Sequence, residues 1–279
     1  MAIVAAAVVA AGSAANAQVL HDNGPLITHP LGSCTGLDAS ALQNTSQLLN
    51  VYGFGWTVAL RLADDFVVPA GEEWDLTGFE FFAYLTNSAV PSYTTATIEI
   101  WNGRPGDPGS AIIAGDAVTN RITSATTFTS IYRPLEATVA TECIRRVQRI
   151  QCSLATTLTA GTYWISINGG PAGFMPPVTI LGANQKPGSN ARQFNGAWVD
   201  LLDNGLAATI QDIPFLVLGT KGGNCYADCN LSGTLTVADF GCFQGKYVLG
   251  DMYADCNASG TLTVADFGCF QGKYVLGCP

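Results

Sequence analysis

The C-terminal end of the chain states one phrase twice. "YADCNLSGTLTVADFGCFQGKYVLG" runs from Tyr226 to Gly250, and "YADCNASGTLTVADFGCFQGKYVLG" from Tyr253 to Gly277. Across 25 positions only Leu231 and Ala258 differ, and the period is 27 residues. A unit this short has little core of its own, so it gains from cross-links. Each copy carries cysteines, at Cys229 and Cys242 and at Cys256 and Cys269, with Cys225 before the pair and Cys278 after it.

Oxygen-bearing residues recur at fixed intervals inside each copy. Counting from Asp228 as position 1, Asn230 is 3, Ser232 is 5, Thr234 is 7, Thr236 is 9 and Asp239 is 12. Gly233 stands at 6, where a sharp turn is needed, and Leu235 at 8 is expected to face inward. The second copy places Asp255, Asn257, Ser259, Thr261, Thr263 and Asp266 in the same roles, with Gly260 at the turn. Oxygens at 1, 3, 5, 7, 9 and 12 with glycine at 6 are the ligand pattern of an EF-hand calcium loop. A turn that merely caps the chain would also use Asp-x-Asn-x-Ser-Gly, but it does not call for Asp at position 12 in both copies. After each loop, Phe240, Phe243 and Tyr247 fall at i, i+3 and i+7, one face of a helix. No helical pattern precedes either loop. The unit is half an EF-hand, loop then helix, repeated.

Two such loop–helix units in tandem resemble the dockerin family, in a cysteine-containing variant found at the C-terminus of secreted bacterial proteins. The match covers residues 225–279. The resemblance implies two bound calcium ions and a cohesin-like or other cell-surface protein as partner. It assigns partner recognition to loop positions 10 and 11 and to residues further along the helix. These are Val237, Ala238, Gln244 and Lys246 in the first copy and Val264, Ala265, Gln271 and Lys273 in the second. Here the sequence departs from the family: Gln244-Gly245 and Gln271-Gly272 stand where basic residues are usual. Ser232 and Ser259 replace the usual acidic or amide residue at position 5, so each loop has two carboxylates. Affinity follows ligand charge, which predicts calcium binding in the ~10⁻⁴–10⁻³ M class of extracellular modules. If the copies pack about a pseudo-two-fold axis, they present nearly identical surfaces.

Cysteine use and the N-terminus both point to export. "MAIVAAAVVAAGSAANAQ" is a short apolar run ending in Ala15-Asn16-Ala17, which reads as a signal peptide over residues 1–17 cleaved before Gln18. Nine cysteines fit an oxidising compartment. A zinc site is disfavoured, since the cluster has no C-x2-C knuckle and His21 and His29 lie far away. The expected bridges are Cys229–Cys242, Cys256–Cys269 and Cys225–Cys278, though several connectivities stay open. Cys143 and Cys152 flank "IRRVQRIQ" as the expected staple of a hairpin, leaving Cys34 as the odd residue.

Residues 18–217 read as one β domain, followed by a linker over 218–224. "RLADDFVVPAGEEWDLTGFEFFAYLT", "TTATIEIWNGRPGDPGS", "TLTAGTYWISING" and "IQDIPFLVLG" are β-branched and aromatic runs between Gly/Pro turns. They predict a jelly-roll-like antiparallel β-sandwich, with a small α-helical calcium-loop module behind it. The first and third of these phrases resemble secreted bacterial β-sandwich domains that precede C-terminal anchoring modules. That resemblance implies a fold and no particular activity.

Function classes narrow accordingly. A net charge of -9 with 12 Lys and Arg is poorly suited to nucleic acid. No segment after residue 17 is long and apolar enough to predict a membrane span. No G-x-S-x-G, H-E-x-x-H or triad context is present. Glu80, Glu99 and the Asp64-Asp65 pair are the available carboxylates, and no signature joins any two of them. The arginines of "CIRRVQRIQC" (Arg145, Arg146 and Arg149) read as a solvated hairpin edge. Trp56 in "GFGW" and Trp101 beside "NGRPGDPG" are the candidate faces for stacking on a polysaccharide. The expectation is a secreted or cell-surface-attached, non-catalytic protein whose C-terminal module anchors a β domain. A polysaccharide-acting hydrolase carrying the module and a purely structural surface or matrix protein are the alternatives.

Overall fold

The computed structural model describes residues 17–222, 225–230, 232 and 234–277. The expected signal peptide, apart from Ala17, and Cys278 lie outside them. The chain divides into two compact units, Gln18–Gly223 and the segment from Asn224 onward.

The first unit is mainly antiparallel β. Among the described residues its strands are β1 (Gln18–Asp22), β2 (Asp38–Ala39), β3 (Phe54–Trp56), β4 (Arg61–Tyr84), β5 (Thr95–Trp101), β6 (Ile112–Asp116), β7 (Thr127–Tyr132), β8 (Arg146–Gly170), β9 (Gly173–Met175), β10 (Arg192–Phe194), β11 (Trp198–Asp200) and β12 (Phe215–Gly222). The main hydrogen-bonded path runs β1-β12-β4-β8-β5-β6; off this path β2 and β7 pair in parallel, and an isolated parallel bridge joins Leu42 to Leu135.

Two long strands organise this unit. β4 and β8 pair antiparallel from Leu62↔Ile167 to Tyr84↔Val147. Their register slips between Val68 and Glu73. Gly71 sits in that slip at φ 85°, a conformation natural to glycine. Beyond it β4 turns its apolar side onto itself: the Phe66 ring lies 6.4 Å from Phe79 and 6.3 Å from Trp74. Both halves of the strand therefore line one core. Ile98, Ile100, Ile150, Ile165, Ile167, Phe81, Phe215 and Val217 complete it. The expected Pro-Ala-Gly turn is a bend within a strand.

Three expectations are corrected. Cys143 bonds to Cys34, and Cys152 is free and buried. The hairpin staple fails on geometry, because "RVQRIQC" is continuous strand. From Arg146 to Cys152 a strand advances about 20 Å, whereas a disulfide needs Cα atoms about 5.5 Å apart. The linker is shorter than expected, since β12 pairs with β4 as far as Gly222↔Glu73. Trp56 is buried (0% exposed) and packs 4.8 Å from the Tyr93 ring, so it offers no stacking face.

The second unit contains α1 (Val237–Val248) and α2 (Val264–Leu276), each beginning three residues before the first ring of its aromatic pattern, Phe240 and Phe267. Phe243 and Phe270 are its buried centre. Cys229–Cys242 and Cys256–Cys269 are bonded, each with Cα atoms 5.7 Å apart. Cys225 is disulfide-bonded as well.

Candidate functional site

The two copies of the repeat pack as near-equivalents. Phe240 lies 4.6 Å from Tyr274, and its counterpart Phe267 lies 4.7 Å from Tyr247. Phe240–Phe270 and Phe267–Phe243 match at 5.2 and 5.1 Å. Phe243 and Phe270, equivalent to each other, stack at 4.3 Å. The start of α1 thus meets the end of α2 and the reverse, which is antiparallel packing about a pseudo-two-fold. Lys246 lies over the Tyr253 ring at 4.5 Å and Lys273 over Tyr226 at 4.1 Å.

The loops gather oxygen. In the second loop Ser259 Oγ lies 3.4 Å from Asp255 Oδ1, 3.0 Å from the Thr261 carbonyl and 3.4 Å from Thr261 Oγ1. The Ser259 amide donates to Asp255 Oδ1 and to Asn257 Oδ1, and the Gly260 amide to Asp255 Oδ2 at 2.7 Å. Gly260 has φ 80°, the turn conformation position 6 requires. In the first loop Ser232 Oγ is 3.5 Å from Asp228 Oδ1 and 3.0 Å from the Thr234 carbonyl, while Gly233 lies outside the described residues. Oxygens at positions 1, 5 and 7 therefore stand about one oxygen–oxygen contact apart, the spacing of neighbouring ligands around an ion with bonds of ~2.4 Å.

Position 12 has a second duty. Asp239 and Asp266 are buried and form capping boxes with Thr236 and Thr263 at the starts of α1 and α2. Asp266 Oδ2 accepts from the Thr263 amide at 2.7 Å, and Oδ1 from the Asn257 amide at 3.3 Å. These amide donors, Thr263 foremost, hold its carboxyl below the usual carboxylate range. A single carboxylate thus links loop to helix. The donor set is all oxygen and suits a hard cation such as calcium. Among the described residues no three His, Cys, Asp or Glu converge; each loop carries two carboxylates, and its other oxygens are neutral.

The residues expected to meet a partner separate into two kinds. Val237 and Val264 are exposed (85% and 84%), as are Ala238, Ala265, Gln244 and Gln271. With Gly241, Gly245 and Val248, those of α1 form an uncharged stripe opposite the buried rings, and α2 repeats it. Lys246 and Lys273 are instead engaged within the unit, over the tyrosine rings, and Lys246 also pairs with Asp251 at 3.3 Å.

In the β unit, Trp101 is half-buried and meets Trp198 edge-on at 6.1 Å; Trp198 in turn lies 5.4 Å from Phe194. Arg61 sits over Phe194 at 5.2 Å. Phe194 and Trp198 are cross-strand partners in the β10–β11 hairpin. Sequence reasoning missed Phe194, although Asn195-Gly196 between the two is a strong hairpin signal. The isolated carboxylates are occupied structurally. Glu80 accepts from Gln151 at 2.8 Å, and Glu99 pairs with Arg61 at 3.4 Å. Asp64 accepts from Asn23 at 2.7 Å and from the Ile213 amide at 2.8 Å. Burial, then the nearby Asp212, pushes its carboxyl well above the ordinary range. No family model and no curated protein matches the chain.

Proposed function

We propose that the C-terminal unit is a calcium-stabilised docking module that attaches the β domain, a jelly-roll-like sandwich, to a partner protein outside the cell. The observation that carries this reading is the doubling of one oxygen-gathering loop–helix unit about a pseudo-two-fold. Asp228, Asn230, Ser232, Thr234, Thr236 and Asp239 hold one ion, and Asp255, Asn257, Ser259, Thr261, Thr263 and Asp266 the other. Calcium neutralises the two carboxylates of each loop and fixes the loop against its helix. The exposed stripes headed by Val237 and Val264 are the docking faces. No helix among the described residues is long and apolar enough to cross a membrane.

Calorimetric titration of the full chain with calcium tests the reading. Two sites are expected, with Asp228→Ala and Asp255→Ala each removing one of them. A chain that takes up no calcium at millimolar concentration overturns the docking module and leaves a disulfide-bonded cap.

The Trp101–Trp198–Phe194 cluster supports a second role, carbohydrate stacking by the β domain. Affinity electrophoresis in neutral polysaccharide gels should show retardation that Trp198→Ala removes. Equal mobility of the two chains in every gel rejects that role.

A further inference from the structure

The three arginines in and just before β8 have different surroundings. Arg145 pairs with Glu142 and lies 3.8 Å over the Tyr52 ring. Arg149 is 3.8 Å from Glu80. Arg146 has no carboxylate within ion-pair distance among the described residues. Every other partly exposed Arg or Lys of the β unit has one: Arg61 with Glu99, Arg104 with Asp200, Arg121 with Asp116, Arg192 with Asp107, Lys186 with Asp212 and Lys221 with Glu72. In a chain of net charge -9 an unmatched guanidinium is a local exception.

Arg146 is nonetheless fixed. Its Nε donates to the Thr129 carbonyl at 2.9 Å, and its guanidinium lies 4.9 Å over Phe128 and 5.9 Å over Tyr132. One edge and one face are held, and the terminal N–H donors are left for another acceptor. A planar fork pre-positioned in this way matches a carboxylate bidentately. Arg146, Phe128 and Tyr132 line a cavity of about 270 Å³, together with Asn87, Ser88 and Cys143 of the Cys34–Cys143 bridge. The Asn87 carboxamide has no protein partner among the described residues, so a second polar group is available.

Size and topology narrow the ligand. At about 270 Å³ the cavity falls just below the usual range of ligand sites, which starts near 300 Å³, and suits one sugar-sized group. An extended peptide would need a free strand edge, and Tyr132 is paired on both sides, with Ala39 and with Arg146. We propose that this cavity binds one carboxylate-bearing sugar, a hexuronate residue of an acidic polysaccharide, with Arg146 taking the carboxylate and Asn87 a hydroxyl.

The test is calorimetry on the full chain with trigalacturonate, with neutral galactotriose and with a capped peptide ending in a free carboxylate. Trigalacturonate is expected to bind and galactotriose not to. Arg146→Ala should weaken binding about tenfold or more, as loss of a charge-assisted pair does. Because that change also removes ring contacts, Asn87→Asp serves as the second variant. It keeps Arg146 in place, fits the φ of 60° that Asn87 adopts, and adds a repelling charge, so it should weaken binding comparably. Equal binding of the two trisaccharides, unchanged affinity in both variants, or binding of the peptide alone overturns the assignment.

Discussion

Tyr226 and Tyr253 lie with their rings 4.8 Å apart and 5° from parallel, and each hydroxyl donates to the other's backbone carbonyl. The pair is the clasp between the two repeats, 27 positions apart in the chain. Lys273 and Lys246 cover the outer faces of the two rings.

This clasp sets an alkaline limit. Burial pushes the Tyr226 hydroxyl from 10.0 up to about 12, and raises that of Tyr253 as well. A raised phenol favours the neutral form in the folded state. Its stabilisation is full below the unfolded value near 10.0 and is lost as pH climbs through about 12. Tyrosinate absorbance and circular dichroism of the wild type should therefore change together in that window. Tyr226→Phe and Tyr253→Phe should each cost about 0.5–1.5 kcal/mol in denaturant unfolding at neutral pH. A double variant whose cost is the plain sum would show that the two hydroxyl bonds act independently.

Ser232 and Ser259 limit the charge of the loops. Ser232→Asp and Ser259→Asp each add a third carboxylate beside Asp228 or Asp255. Each should tighten its own calcium site by roughly one decade and lower stability in chelator, where the added repulsion has no ion to offset it. Calcium titration followed by melting in chelator reads both effects. Higher stability without calcium would contradict the geometry.

Arg133 is 1% exposed, and among the described residues no carboxylate lies within ion-pair distance of it. Its guanidinium donates to the Tyr52 carbonyl at 2.7 Å, the Ser40 carbonyl at 3.0 Å, Thr179 Oγ1 at 3.1 Å and the Val51 carbonyl at 3.3 Å. Burial pushes its pKa down to about 10, so it stays charged at neutral pH. It ties the segments at Val51–Tyr52 and Thr179 to the end of the β2–β7 pairing. Arg133→Met should cost about 3–5 kcal/mol, because the carbonyls are left buried and unpaired. Urea unfolding measures the loss, and a cost under about 1 kcal/mol would mean that water reaches these groups.

Peptide mapping of the oxidised chain should recover Cys34 joined to Cys143. Burial pushes the Cys152 thiol up to about 12, so it should resist alkylation until the chain is denatured. Cys34→Ser with Cys143→Ser should cost about 3–5 kcal/mol, the range for a bridge closing a long loop. A recovered Cys143–Cys152 peptide would refute this pairing.

The contrast between Cys229–Cys242 and Cys34–Cys143 shows what the sequence discloses. The first pair lies within one loop–helix unit, where spacing and helix phase bring the residues together. The second spans 109 residues, and only the path of two strands through the sheet brings its ends into contact. Trp56 and Trp101 divide in the same way. Both stand next to turn residues, yet β3 pairs with β9 and takes Trp56 into the core, while Trp101 stays half-buried beside a hairpin far along the chain. The helical stripe headed by Val237 follows directly from a 3.6-residue period. The mutual clasp of Tyr226 and Tyr253 depends on how the two copies meet, which neither copy encodes alone.

β4 contributes Phe66, before the bend, and Phe79, beyond it, to one core, and β8 pairs with it on both sides of the bend. A cut at the bend near Gly71 would therefore yield no fragment with a finished core. The domain has no smaller piece to lose or exchange, so it should melt in a single transition, and a protease that opens the bend should need the whole unit to open first.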